Sequence, residues 1–186
     1  MIPYYTRFSL LAFILLILQI LVFDNIHLFG FSNPAIYILI FITYRLDLDQ
    51  FGFIAIGFFT GLFLDLVTQS PGAHSIAGVS IAFLRPIISR FALGANFNQP
   101  NTLSTGSLWS NKMVNIFLMI LTHQLIFSFM LYFNMAHLWV IIKHTVANTF
   151  FSFVLITASL TLFQTKNDTD FPSSRINCTY CNCIFI

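Results

Sequence analysis

The sequence predicts an all-α polytopic membrane protein of about six transmembrane helices, with both termini in the cytoplasm. Three observations lead there. Of 186 residues, 58% are hydrophobic and only 8% charged, against about 25% charged in soluble domains. A soluble fold of this length has no single core able to hide so much apolar surface. The apolar residues fall in long runs, and the few basic residues fall on one side of the alternation those runs define.

The first run, Phe8 to Phe23, follows Arg7 and resembles a signal sequence. No small-x-small cleavage site comes after it, so it reads as an uncleaved helix. A polar loop with Asp24, Asn25, His27 and Gly30 leads to a second run, Pro34 to Tyr44, where proline suits the first turn of a helix. This run is short for a span and is expected to extend to about Leu48. After the link Arg45 to Gln50 a third helix is expected from Phe51 to Val67, then a turn at Gln69-Ser70-Pro71-Gly72. A fourth helix, Ala73 to Leu93, is rich in small residues (Ala73, Ser75, Ala77, Gly78, Ser80, Ala82) and is expected to pack centrally. Arg85-Pro86 predicts a kink near its end. The stretch Gly94 to Asn111 is a polar surface loop. The fifth helix spans Met113 to Phe133, a break follows at Asn134 to His137, and the sixth runs from Leu138 to Phe163. Residues 1–163 thus form a membrane domain, and 164–186 a polar tail expected to be disordered.

With the N-terminus inside, Arg7, Arg45, Arg90, Lys112, Lys166 and Arg175 all fall on cytoplasmic segments, as the positive-inside rule requires. Arg85 lies near the cytoplasmic end of the fourth helix and is expected to snorkel to that surface. Lys143 alone breaks the pattern.

Ionisable groups inside the bilayer are costly, about 2.5–3.5 kcal/mol at its centre, and so carry information. Gly57, Gly61 and Asp65 recur every fourth residue and share one helical stripe. Two glycines at that spacing admit another helix closely, so Asp65 is expected to point into a helix–helix contact. Lys143 lies at similar depth and is one candidate partner; His74, just beyond the turn, is the other. His123 and Gln124, near the middle of the fifth helix, read as interhelical hydrogen-bonding groups rather than a proton relay, because His123 has no carboxylate on its own helix.

Several function classes drop out. No Ser-His-Asp order, His-rich metal spacing or phosphate-cradling glycine loop occurs, so no enzymatic activity and no cofactor are expected. A net charge of +2 gives no reason to expect a nucleic-acid partner. Cys178, Cys181 and Cys183 lie together in the tail, without a nearby fourth ligand for a metal.

The stretch Gly57-Phe-Phe-Thr-Gly61-Leu-Phe-Leu-Asp65, then Ser70-Pro71-Gly72-Ala73-His74, then Leu84-Arg85-Pro86, resembles the rod shape-determining protein MreD family, in particular members from Bacteroidota. The likeness is specific over residues 53–90 and looser elsewhere. It implies a non-catalytic scaffold of the cell-elongation machinery in the bacterial inner membrane, acting in cell shape and peptidoglycan synthesis. The implied partners are MreC and, through it, MreB and the peptidoglycan synthases, besides the lipid bilayer; self-association is compatible with that role. By the same resemblance Asp65, Pro71, Gly72, His74, Arg85 and Pro86 are the positions that matter to fold or partner binding. The alternative is a six-helix substrate-binding subunit of a vitamin transporter. Helix number and size fit it, but the outer loops are too short to cap a ligand.

Overall fold

A computed structural model describes residues 4–23, 34–44, 49–94, 109–132 and 138–169. Among these every regular element is helical. Helix α1 covers Tyr4–Leu18 and continues into a π-helical turn, Gln19–Phe23. Helix α2 covers Ile38–Thr43, α3 Gln50–Thr68, α4 Ala73–Leu93, α5 Trp109–Tyr132 and α6 Leu138–Thr169. Helices α3, α4, α5 and the Leu138–Thr161 part of α6 are long and apolar enough to cross a membrane, while Phe8–Phe23 is a shorter apolar helix. This is a helical membrane protein.

The expected bounds of α3 and α4 hold to within a residue. Helix α5 starts earlier, at Trp109, and α6 runs on past Phe163 to Thr169. The Cys-containing segment, the polar loop from 95 to 108 and the break at 133–137 lie outside the described residues.

Helices α3, α4, α5 and α6 pack in chain order, each against the next. As expected from its small residues, α4 sits between α3 and α5. Between α3 and α4 the glycine backbones leave no room for a side chain. A Cβ on Gly57 would lie 2.8 Å from the Gly78 carbonyl oxygen, and one on Gly61 would lie 2.5 Å from Ser75 Cα. No other residue type fits there without forcing the helices apart.

The second apolar run departs most from expectation. Pro34 does not open a helix: residues 34–37 form an irregular lead-in, and α2 begins at Ile38 with only 6 residues. The segment is enclosed, with Tyr37, Ile38, Ile40 and Phe41 all at 0% exposure. A buried irregular backbone must find its hydrogen bonds inside the protein. Here side chains supply them. Gln19, on the π-helical turn, accepts the Ile36 N–H at 2.9 Å and donates to the Pro34 carbonyl at 3.3 Å. Ser152 on α6 accepts the Ala35 N–H at 2.9 Å.

Candidate functional site

The turn between α3 and α4 gathers several polar groups. Helix α3 ends with Gln69 in the left-handed conformation (φ 53°), whose N–H returns to the Asp65 carbonyl. The Ser70 N–H reaches the same oxygen at 3.1 Å. Gly72, at φ 81°, precedes α4, a backbone region that glycine enters without strain. Glycine has no side chain, so α4 begins without a cap of its own.

Asp65 supplies it from the neighbouring helix. Its Oδ1 accepts the His74 N–H at 3.0 Å, and its Oδ2 accepts the Ser75 N–H at 2.9 Å. These are the second and third amides of α4, the pair an N-cap side chain normally satisfies. The carboxylate also faces the positive end of the α4 dipole. Hydroxyls complete the set: Ser75 Oγ donates to Oδ2 at 2.6 Å and Ser70 Oγ to Oδ1 at 2.5 Å. His74 Nδ1 lies 3.0 Å from Oδ1. Asp65 thus closes the end of α3 with its carbonyl and opens α4 with its carboxylate, at 7% exposure.

Of the two candidate partners for Asp65, the side chain meets His74 and not Lys143. Lys143 is exposed on α6, its ammonium 5.3 Å from the Trp139 ring centre. Similar depth gave no information on the direction in which each side chain leaves its helix. Pro71 and Gly72 form the turn itself, with the Gly72 N–H bonded to the Ser70 carbonyl at 2.8 Å.

Arg85 requires a correction. It does not snorkel: at 2% exposure it is among the largest fully buried side chains. Its guanidinium donates to the Tyr44 carbonyl and, at 3.4 Å, to that of Ile42, closing the carboxyl end of α2, while packing 4.9 Å from the Phe53 ring centre. A cation at that end complements the exposed carbonyls. Pro86 follows at an intermediate position, and α4 continues through it to Leu93.

Sequence reasoning missed Tyr37, which joins these parts. Its hydroxyl meets His123 Nε2 at 2.6 Å, and its ring packs against both His74 and His123, at 5.9 and 5.3 Å between centres. Phe127 also packs against His74, at 4.6 Å between ring centres. Gln124 donates to Ser152 on α6 at 3.3 Å, the interhelical hydrogen bond expected of it, whereas the partner of His123 is Tyr37 in the irregular segment before α2. A tyrosine within the apolar stretch Pro34 to Ile42 was the available signal, because a buried phenol usually has a partner.

In a Ser-His-Asp nucleophile system, serine and aspartate occupy opposite ring nitrogens. In the Asp65 cluster both Ser70 Oγ and Asp65 Oδ1 meet His74 at Nδ1, and the serine donates straight into the carboxylate. That geometry caps a helix. Among the described residues no group of three or more His, Cys, Asp or Glu side chains is placed to hold a metal. No family model, no curated protein and no solved structure matches this chain.

Proposed function

We propose that this chain is a non-catalytic scaffold of the MreD type in the bacterial inner membrane, serving cell elongation through an MreC-like partner. The reading rests on the segment that carries the resemblance. What supports it is that Gly57, Gly61, Asp65, His74 and Arg85 all act in holding one hairpin and the buried α2 together. The motif thus describes a rigid platform, which is what a scaffold presents to its partners. MreB and the peptidoglycan synthases would be reached through that partner.

The finer topology belongs to the same proposal. The chain crosses six times, counting α1 and the broken segment around α2, with both ends in the cytoplasm. Trp109 opens α5 and Trp139 opens α6, both exposed, which suits aromatic anchors at opposite membrane surfaces. A reporter fused after Asn98 then reads as cytoplasmic; periplasmic labelling there refutes the six-crossing scheme.

Depletion in the source organism tests the function. Rod-shaped cells become round, and an MreC-like protein co-purifies with the tagged chain. Normal shape with loss of uptake of one small vitamin would instead establish the transporter reading.

A further inference from the structure

We propose that Trp139 and Lys143 form a binding site for the phosphate of an anionic phospholipid. The inference needs only that α6 crosses a bilayer and is independent of the scaffold assignment. Lys143 follows Trp139 by one helical turn, on the same stripe. It lies five residues inside the start of α6, about 7.5 Å along the axis. Leu138, Ile142 and Val146 around it are exposed apolar side chains, so this part of the helix faces acyl chains.

An ammonium there is expensive without an anion. Among the described residues no carboxylate pairs with Lys143: its ammonium lies over the Trp139 ring, and Asp65 is committed to α4. Helical side chains lean toward the amino terminus, so the lysine stem runs back past Trp139 toward the membrane surface. Trp139 is 68% exposed, and its indole offers an N–H at that level. Lysine and indole are both donors only. The ligand they accept must bring acceptor oxygens and negative charge, and at this depth the lipid phosphate does so. A net anionic headgroup is favoured because a choline or ethanolamine headgroup carries a cation of its own.

The test uses the full chain in nanodiscs of equal phosphatidylglycerol and phosphatidylcholine, released into detergent for native mass spectrometry. The wild type retains phosphatidylglycerol in preference. Lys143→Gln lowers that retention about fivefold, the effect of one surface lysine on an anionic lipid. Lys143→Arg keeps it, and Trp139→Phe, which loses the N–H but keeps the ring, lowers it less. Arg90→Gln removes an exposed charge on another helix and leaves it unchanged. Equal retention of phosphatidylcholine, unchanged binding in Lys143→Gln, loss in Lys143→Arg, or an equal loss in Arg90→Gln would each overturn the site.

Discussion

Replacing Asp65 with asparagine changes one oxygen to an NH2 group, yet it should unseat the start of α4. Both carboxylate oxygens are in use, Oδ1 by the His74 amide and Oδ2 by the Ser75 amide. An asparagine has one acceptor oxygen and, on the other side, only donors. Whichever way it turns, a buried backbone N–H faces another N–H. An orphaned buried donor costs about 1–3 kcal/mol. Losing the charge at the helix terminus adds about 0.3–1 kcal/mol, and up to about 2 in buried geometry. Asp65→Asn should therefore destabilise by about 2–4 kcal/mol. Ser75→Ala removes a hydroxyl bond to the carboxylate but keeps the amide bond, and should cost about 1.5 kcal/mol, the low end for a bond to a charged group. Unfolding of purified protein in mixed micelles with rising SDS, followed by circular dichroism, measures both. The capping argument fails if Asp65→Asn lies within about 0.5 kcal/mol of wild type, or if Ser75→Ala costs as much.

Four further outcomes follow from the same geometry and are read in the same assay. Gly61→Ala places a methyl 2.5 Å from backbone and should cost about 1–3 kcal/mol, whereas Gly52, with nothing within 4 Å, should accept alanine with a gain of about 0.5–1 kcal/mol. Thr149→Val should stabilise by about 1 kcal/mol, because among the described residues the buried Thr149 hydroxyl has no partner, whereas that of Thr157 bonds Phe153 at 2.6 Å; a loss of stability would show the hydroxyl to be engaged. The exchange Asp65→Lys with Lys143→Asp should recover none of the loss from the first change, and recovery would restore the pairing the structure rejects.

What could be read in advance, and what could not, divides along a physical line. The Gly57–Gly61–Asp65 stripe was legible because a four-residue repeat fixes a helix face, and the Pro71-Gly72 turn brings His74 back beside it. Azimuth was harder. Hydropathy places Arg85 and Lys143 at a depth but does not say whether each faces lipid or protein, and the two went opposite ways. Lys143 had a signal in its own helix: Thr145, Asn148, Thr149 and Ser152 define a polar, buried face, and Lys143 lies off it. Arg85 had none, since its acceptors are backbone carbonyls that every residue carries. The short α2 was hidden for a similar reason. An apolar run looks the same whether acyl chains or other helices surround it, and its support comes from Gln19 and Ser152, distant in sequence.

The enclosure of α2 sets a timetable for biosynthesis. The Ala35 amide is answered by Ser152, 117 positions later in the chain. At a translation rate of 5–20 residues per second, that partner emerges about 6–23 s afterwards. Through that interval lipid offers the waiting amide no acceptor, so the segment belongs in the insertion machinery or beside a chaperone. Quality control that senses polar backbone in the bilayer would then recognise any chain ending before Ser152 as unfinished.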